Sequence, residues 1–444
     1  MAKVQHEIKD AIHEFIRVDS FEREVVDSEP LQRLRHINQL SLSNLVYPGA
    51  THRRFEHSLG VMELASRVYD SIITEDKLSD KKIRDLLPDA ANPTRRHQWR
   101  SILRMAALCH DIGHLPFSHA LEKKLLPKKW DHERLTYALI MSKEMEQYWN
   151  ELKLLPKDIA RIAVGPSKAA ACGDEKPFST WEAILSEIIK GDAFGVDRMD
   201  YLLRDAHHTG MHSVQFDHYR IIDTLRIVLP PEDKMAGLDS SEPALGIELG
   251  GLSAAEALLL SRYFMYTQVY LHPVCTIYNI HLGDFVSEIR DGENFPTDVK
   301  GHLLLTDNEI IVEMLKASKD SSAKGHLHAD RILNRKHFKV LYSWDPEDSR
   351  QNPDATKVLF DAAVSQYGKE FVRLDFKKKN RAKSEDFRIL KQDGTVGMAG
   401  SWSKILPILP NVQPENVFIS RDKFDAAQDW LRKNKSSIIK LGSK

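Results

Sequence analysis

The stretch RSILRMAALCHDIGHLPFSH, residues 100–119, decides the fold. Ile102, Leu103, Met105, Ala106, Ala107 and Leu108 give an apolar surface wider than one stripe, so its first half predicts a buried helix. His110 and Asp111 stand side by side at the end of that run. A buried helix end ordinarily avoids an ionisable pair, because an unpaired buried charge is costly or neutralises by shifting its pKa. Gly113 and Pro116 then break the helix, and His114 and His119 follow on the turn. Four imidazole or carboxylate groups within ten residues need a shared purpose, and a metal with an anionic substrate beside it supplies one.

Composition narrows the class. At 444 residues the chain is long enough for a large core and a second, smaller domain. A formal net charge of -1 argues against a general nucleic-acid or membrane-surface binder, with local basic patches left open. The 20 histidines suit a metal- or phosphate-handling protein but decide little alone. Cys109, Cys172 and Cys275 are too far apart for a disulfide framework, which points to a reducing compartment. Cys109, beside the His-Asp pair, reads as a small buried residue rather than a nucleophile. The N-terminal MAKVQHEIKDAIHEF is charged throughout, unlike a signal peptide, and the longest apolar run, near Ala254 to Leu260, is far short of a membrane span. A soluble, cytoplasmic protein is expected.

Working outward, residues 1–30 predict a strand-like or loop entry. Leu31, Leu34, Ile37 and Leu40, spaced by three, predict an amphipathic helix from Pro30. The run Arg53-Arg54-Phe55-Glu56-His57-Ser58 opens a second helix, and the charged residues 74–97 read as a surface connection. WDHERLTYALI, residues 130–140, starts another helix with Asp131 as its cap, and residues 165–178 read as a loop. After the helix Trp181 to Lys190 comes VDRMDYLLRDAHH, where Asp197, Tyr201 and Asp205 share the stripe opposite Val196, Met199, Leu202, Leu203 and Ala206. A helix from about Ser253 to Tyr270 places Arg262, Tyr266 and Tyr270 on one stripe. Up to about residue 320 the pattern is helix after helix. Beyond about residue 335, VLYSW, EFVRLDF and FRILKQDGTVG alternate as strands, with Asp393-Gly394 as a hairpin turn and a closing helix from Asp422 to Lys433. Lys377, Lys378, Lys379, Arg381 and Lys383 read as a solvated basic run. The expected architecture is mainly α, a helical domain over residues 1–330 with a small α+β region over residues 331–444.

His57, His110, Asp111 and Asp197 compete for the metal. Each alone reads as structural, but neighbouring helix positions diverge by about 100°, so an adjacent His-Asp pair rarely shares one structural partner. Two imidazoles with two carboxylates suit an octahedral Mn, Fe, Mg or Ni centre with waters, and also Zn, and do not choose among them. Such an ion polarises a phosphoryl oxygen and acidifies a bound water.

His57, His110-Asp111 and Asp197 match the H…HD…D signature of the HD-domain phosphohydrolases. More narrowly, PGATHRRFEHSLGV, LCHDIGHLPFSHA, WDHE and GVDRMDYLLRDAHHTG resemble the deoxynucleoside triphosphate triphosphohydrolases, the group containing the vertebrate SAM- and HD-domain restriction factor and its bacterial relatives, with no SAM domain expected ahead. The resemblance runs from about residue 5 to KSEDFRIL in the C-terminal region. It implies a mainly α HD-type fold and hydrolysis of a dNTP to deoxynucleoside and intact triphosphate, by water attack at the α-phosphorus. By the same resemblance His57, His110, Asp111 and Asp197 hold the divalent metal, a second Mg rides on the phosphates, and Arg54 contacts them. His114, working on the α-phosphate, and His119, near the departing 5′ oxygen, match catalytic-pocket histidines, and His132 with Glu133 matches a catalytic His-Glu pair. Gln39 and Asp205 match readers of the sugar 3′-hydroxyl, Tyr201 and Tyr270 close around the deoxyribose, and Arg198 and Arg262 match phosphate contacts.

For regulation, Asp27, Gln32 and Arg35 match the residues that read an activating guanine, and Arg220 matches a basic residue of that apparatus. Glu248 and Gly250 stand where that group has an Arg-and-Lys pair, which implies a homo-oligomer, dimer or tetramer, with altered or weakened activation by GTP or a dNTP. Two alternatives stand beside this. One is a phosphohydrolase of another nucleotide, a monophosphate or an alarmone. The other is a non-catalytic nucleotide sensor or nucleic-acid-binding module, against which the full metal set with His114, His119 and His132 speaks.

Overall fold

A computed structural model describes residues 5–230, 242–376, 386–410, 412 and 415–441. The buried helix spans Pro93–Cys109, and every side chain from Ile102 to Cys109 is inside. Asn92 caps it by accepting from the Thr94 and Arg95 amides, and Pro93 takes the first position, where no amide is needed. It packs against the helices Arg54–Ile72 and Pro156–Val164. Because the cap is Asn92, the expected surface connection over 74–97 is shorter, and it carries the helices Lys81–Leu86 and Pro88–Ala91.

The N-terminal entry is a two-stranded hairpin, β1 (Gln5–Asp10) and β2 (Glu14–Asp19), followed by the helix Ser20–Val26. Arg104, on the buried helix, grips this entry: its Nε and Nη2 donate to Glu22 at 2.6 and 2.8 Å, and Nη2 also to the Arg17 carbonyl at 2.8 Å. The helix expected from Pro30 through Leu40 is cut short to Glu29–Arg33 and a 3-10 turn, Leu34–His36. Ile37 turns extended because Asn38 bridges to Arg53 and donates its amide to Asp307 at 2.8 Å. Residues 165–178 are likewise not all loop, since Pro166 starts a helix that runs to Ala171.

The helix-after-helix reading misses β3 (Leu225–Val228) and β4 (Ala244–Glu248), each too short for a visible alternation. The later strands are β5 (Lys339–Ser343), β6 (Val372–Phe376), β7 (Arg388–Leu390), β8 (Val396–Met398) and β9 (Glu415–Ile419). One sheet has the order β3-β4-β7-β8, with β4 and β7 parallel, so segments on either side of residue 331 share a ladder. The other is antiparallel, β5-β9-β6, and helices Ala355–Tyr367 and Phe424–Leu441 pack on it. Gly394, at φ +81°, makes the expected turn between β7 and β8. The closing helix starts near Asp422 as expected but runs on to Leu441. The basic run 377–383 lies outside the described residues. The architecture is mainly helical with small sheets, and no described helix is long and apolar enough to cross a membrane.

Glu187, on the helix Thr180–Lys190, ties that helix to the mixed sheet by accepting the Leu245 amide at 3.0 Å. Burial pushes its carboxyl up to about 7, only partly offset by that amide and by Arg388. A folded-state pKa above the unfolded value means stability falls as pH rises from the ordinary carboxylate range through 7. Glu187→Gln keeps the acceptor and removes the charge. It is expected to raise stability by on the order of 2 kcal/mol at pH 8 and to change it little at pH 5, read as urea midpoints at the two pH values.

Candidate active site

His57 lies at the start of the helix Arg54–Ile72, His110 ends Pro93–Cys109, and Asp197 lies in the first turn of Val196–Thr209. Ligand atoms of these three lie within 4.8 Å of one another. His110 donates Nδ1–H to the Ala107 carbonyl at 2.8 Å, which turns its Nε2 lone pair inward. That Nε2 is buried with no hydrogen-bond partner among the described residues, 3.6 Å from Asp197 and 3.4 Å from Asp111. His57 Nε2 faces Asp197 at 3.1 Å and Asp111 at 3.7 Å, while its Nδ1 meets Asp200 at 2.7 Å. Burial would lower the His57 pKa, but Asp197 and Asp200 carry it up to about 10. The site therefore demands positive charge at Nε2, and the donor set fits a divalent cation. Asp111 stands at its rim, held by Arg54; burial opposes its ionisation, but His110, His114 and Arg54 keep the carboxyl well below the usual range.

Another set of possible donors, His281, Asp284 and His328, differs in one respect. Asp284 already carries Lys124 at 2.6 Å and Arg373 at 3.0 Å, so its charge is spent on fixed cations.

Beside the metal candidates sit His114, His119 and His132. His114 stacks on His132 with centroids 4.1 Å apart, and His119 stands edge-on to both at 4.8 and 5.0 Å. Glu122 accepts from Nδ1 of both His119 and His132 at 3.1 Å, and these partners hold it ionised well below the usual range against its burial. Sequence reading missed Glu122; its signal was the three-residue spacing from His119 at the start of the helix His119–Leu125. Of Glu122 and the expected Glu133, it is Glu122 that meets the His132 ring. Glu133, one position on and so turned away from His132, takes Lys190 at 2.6 Å and Lys168 at 2.5 Å. Burial, with Arg54 and His132 alongside, holds His114 well below the usual imidazole range, so the ring is neutral at pH 7.

Along Val196–Thr209 the predicted stripe holds: Asp197 reaches the metal candidates, Tyr201 meets Tyr270 edge-on at 6.1 Å, and Asp205 accepts the Tyr270 hydroxyl at 2.7 Å. The other Asp205 oxygen takes His52 Nε2 at 2.7 Å, a partner not foreseen although His52 lies inside PGATHRRFEHSLGV. The helix Leu252–Met265 ends in a π turn, Tyr266–Tyr270, rather than continuing regularly, with the Arg262 guanidinium over the Tyr266 ring. Gln39 Oε1 is buried without a hydrogen-bond partner among the described residues, Arg54 donates to Ser118 at 2.8 Å, and Arg198 donates to the Asp192 carbonyl.

The turn carrying His114 and His119 is itself strained, with Phe117 and Ser118 at φ +53° and +58°. Asp307 holds it, accepting the Phe117 amide at 2.7 Å as well as that of Asn38, and Arg33 donates to the His114 carbonyl at 2.9 Å and to Leu305 at 2.8 Å. Gly113 lets the turn lie against the next helix: a Cβ there would stand 2.2 Å from the His132 carbonyl oxygen.

The regulatory candidates fall into two sets. Arg35 donates to Gln32 at 2.8 Å and covers the Phe55 ring, while Asp27 meets Arg23 at 3.4 Å. Arg220 donates to the Gly250 carbonyl at 3.2 Å, and Glu248 pairs with Arg226.

Residues 54–165 match the HD domain and residues 216–420 the HD associated region. His57, His110 and Asp111 fall in the first segment, Tyr270 and Asp307 in the second, and Asp197 between them. An uncharacterized protein of Methanocaldococcus jannaschii is 32% identical over 94% of this chain and 72% of its own length. Deoxynucleoside triphosphate triphosphohydrolase SAMHD1 of Gallus gallus is 29% identical over 79% of this chain and 58% of its own. The chain thus spans little more than half of that relative, as it does of YwfO from Bacillus subtilis, at 52%. A hypothetical protein from Aquifex aeolicus, known from a crystal structure, matches with a TM-score of 0.75 and 30% identity, covering 96% of this chain and 100% of that one.

Removing Asp307 leaves one buried and one partly buried amide, those of Phe117 and Asn38, unpaired. Asp307→Ala is expected to cost about 2–4 kcal/mol in urea unfolding, and Asp307→Asn, which keeps one acceptor, about half as much.

Proposed function

The chain belongs to the HD-domain phosphohydrolase family, and we propose that it hydrolyses dNTPs to deoxynucleoside and inorganic triphosphate. The observation that carries this reading is the order of groups along Val196–Thr209. Asp197, Tyr201 and Asp205 follow at helical steps of about 6 Å, so one rigid element runs from the metal candidates to a hydroxyl-binding carboxylate. A phosphate at one end and a deoxyribose at the other fit that order, with the tyrosine pair filling the space that a 2′-hydroxyl would need. The vertebrate relatives, named as deoxynucleoside triphosphate triphosphohydrolases, support the same substrate.

His57, His110, Asp197 and Asp111 would hold a divalent ion (Mn, Fe, Mg, Ni or Zn), which would supply Lewis acidity toward a phosphoryl oxygen. Arg54, already beside Asp111, places a guanidinium where the α-phosphate gains charge, and Arg198 and Arg262 extend that field along the phosphate chain. His114, neutral and with Nδ1 unpartnered among the described residues, can accept a proton. His119 and His132, each donating Nδ1–H to Glu122, have a carboxylate to balance the imidazolium form, and in that form the Nε2–H of either can pass to the departing 5′ oxygen. Activation by GTP or a dNTP in a dimer or tetramer belongs to this reading, and the pairing of Glu248 with Arg226 supports its being weak.

Each dNTP, incubated with Mn or Mg and with or without GTP, is expected to yield deoxynucleoside and triphosphate by anion-exchange analysis. His110→Ala and Asp197→Ala should abolish the products, and His114→Ala should slow turnover by about 10²–10⁴. Release of orthophosphate or pyrophosphate instead would overturn the assignment.

A further inference from the structure

On the reading that His57 is a metal ligand, we propose that the N-terminal hairpin belongs to the metal centre, with Asp200 as the positioning residue that turns His57 toward the ion. Asp197 and Asp200 lie on one helix and bracket the same imidazole: Asp197 faces Nε2 at 3.1 Å, and Asp200 accepts from Nδ1 at 2.7 Å. An Nδ1–H engaged behind the ring leaves the Nε2 lone pair for the cation and makes it more basic. Asp200 is itself fully buried and fixed from two sides. Arg204 clamps it with Nε and Nη2, both at 2.9 Å, and His13 Nε2 meets Oδ1 at 2.6 Å.

His13 comes from the turn between β1 and β2, and that turn is shaped by Asp10. The Asp10 carboxylate accepts the Ile12 and His13 amides at 3.0 and 2.9 Å and binds Arg204 Nη1 at 2.9 Å. A continuous buried chain of contacts therefore runs from the hairpin turn through Arg204 and Asp200 to His57. Gly60, one turn on from His57, makes room for it: a Cβ there would lie 1.9 Å from Asp200 Oδ1 and 2.5 Å from Arg204 Nη2. An ordinary i,i+4 ion pair between Asp200 and Arg204 needs neither this opening nor a histidine from another element. The arrangement is accounted for if the orientation of His57 is what it secures.

The test measures Mn²⁺ affinity of the full chain, freed of metal, by competition with a fluorescent chelator, alongside thermal unfolding in EDTA. Asp200→Asn is expected to weaken binding 10–100-fold and His13→Ala about 10-fold. His13→Gln, whose amide nitrogen can replace Nε2 as donor to Asp200, should restore most of the loss. If Asp200→Asn does not fold, the Ala and Gln variants at position 13 decide the matter. Wild-type affinity in His13→Ala, or a loss that Gln does not rescue, overturns the positioning role while leaving the metal centre in place. A wild-type chain that binds no Mn²⁺, Fe²⁺, Ni²⁺ or Zn²⁺ overturns the metal centre and this inference together.

Discussion

A helix that stops inside a core leaves its last carbonyls in need of donors, and the rest of this molecule follows from how that need is met after Cys109. His110 closes the helix by donating to Ala107, and the same bond aims its other nitrogen at the two nearby carboxylates. Capping and ligand orientation are one act here. The next residue, Asp111, is then committed to the same small volume, where Arg54 and the imidazoles of His110 and His114 offset its burial.

The turn beyond is held by groups distant in sequence. Arg33 and Asp307 take the polar backbone of residues 114–117 from before and after it in the chain, and two residues in that turn adopt left-handed backbone. Strain of this kind persists only where the surroundings over-determine it. His114, His119 and His132 owe their close approach to that framework, to Gly113 and to Glu122 rather than to local sequence.

What periodicity and residue chemistry can reveal was legible: the buried helix, the His-Asp pair at its end, and the stripe of Asp197, Tyr201 and Asp205. The 3.6-residue period fixes such stripes without knowledge of the partner. Partnerships across the fold were not legible. Glu122 and Glu133 both neighbour His132 in prospect, one in space and one in sequence, and only packing against Lys168 and Lys190 shows which carboxylate is diverted. Nothing in the helical spacing marks Asp200, whose partners His13 and His57 come from other elements. The segment Leu31–Leu40 carries a sound helical spacing, yet one strand-like bridge from Asn38 to Arg53 outweighs it. β3 and β4, four and five residues long, lie within a helical stretch and take their ladder partners partly from residues near 388.

The parallel pairing of β4 with β7 has a mechanical consequence. An interior strand of the mixed sheet, β4, is flanked by an early strand on one side and a late one on the other. Pulling the two halves apart would have to break a hydrogen-bonded ladder in shear rather than stretch a linker, so the halves are expected to melt as one cooperative unit. A polypeptide ended near residue 330 would expose one whole side of β4, and an open strand edge recruits the next strand it meets, including that of a sister molecule.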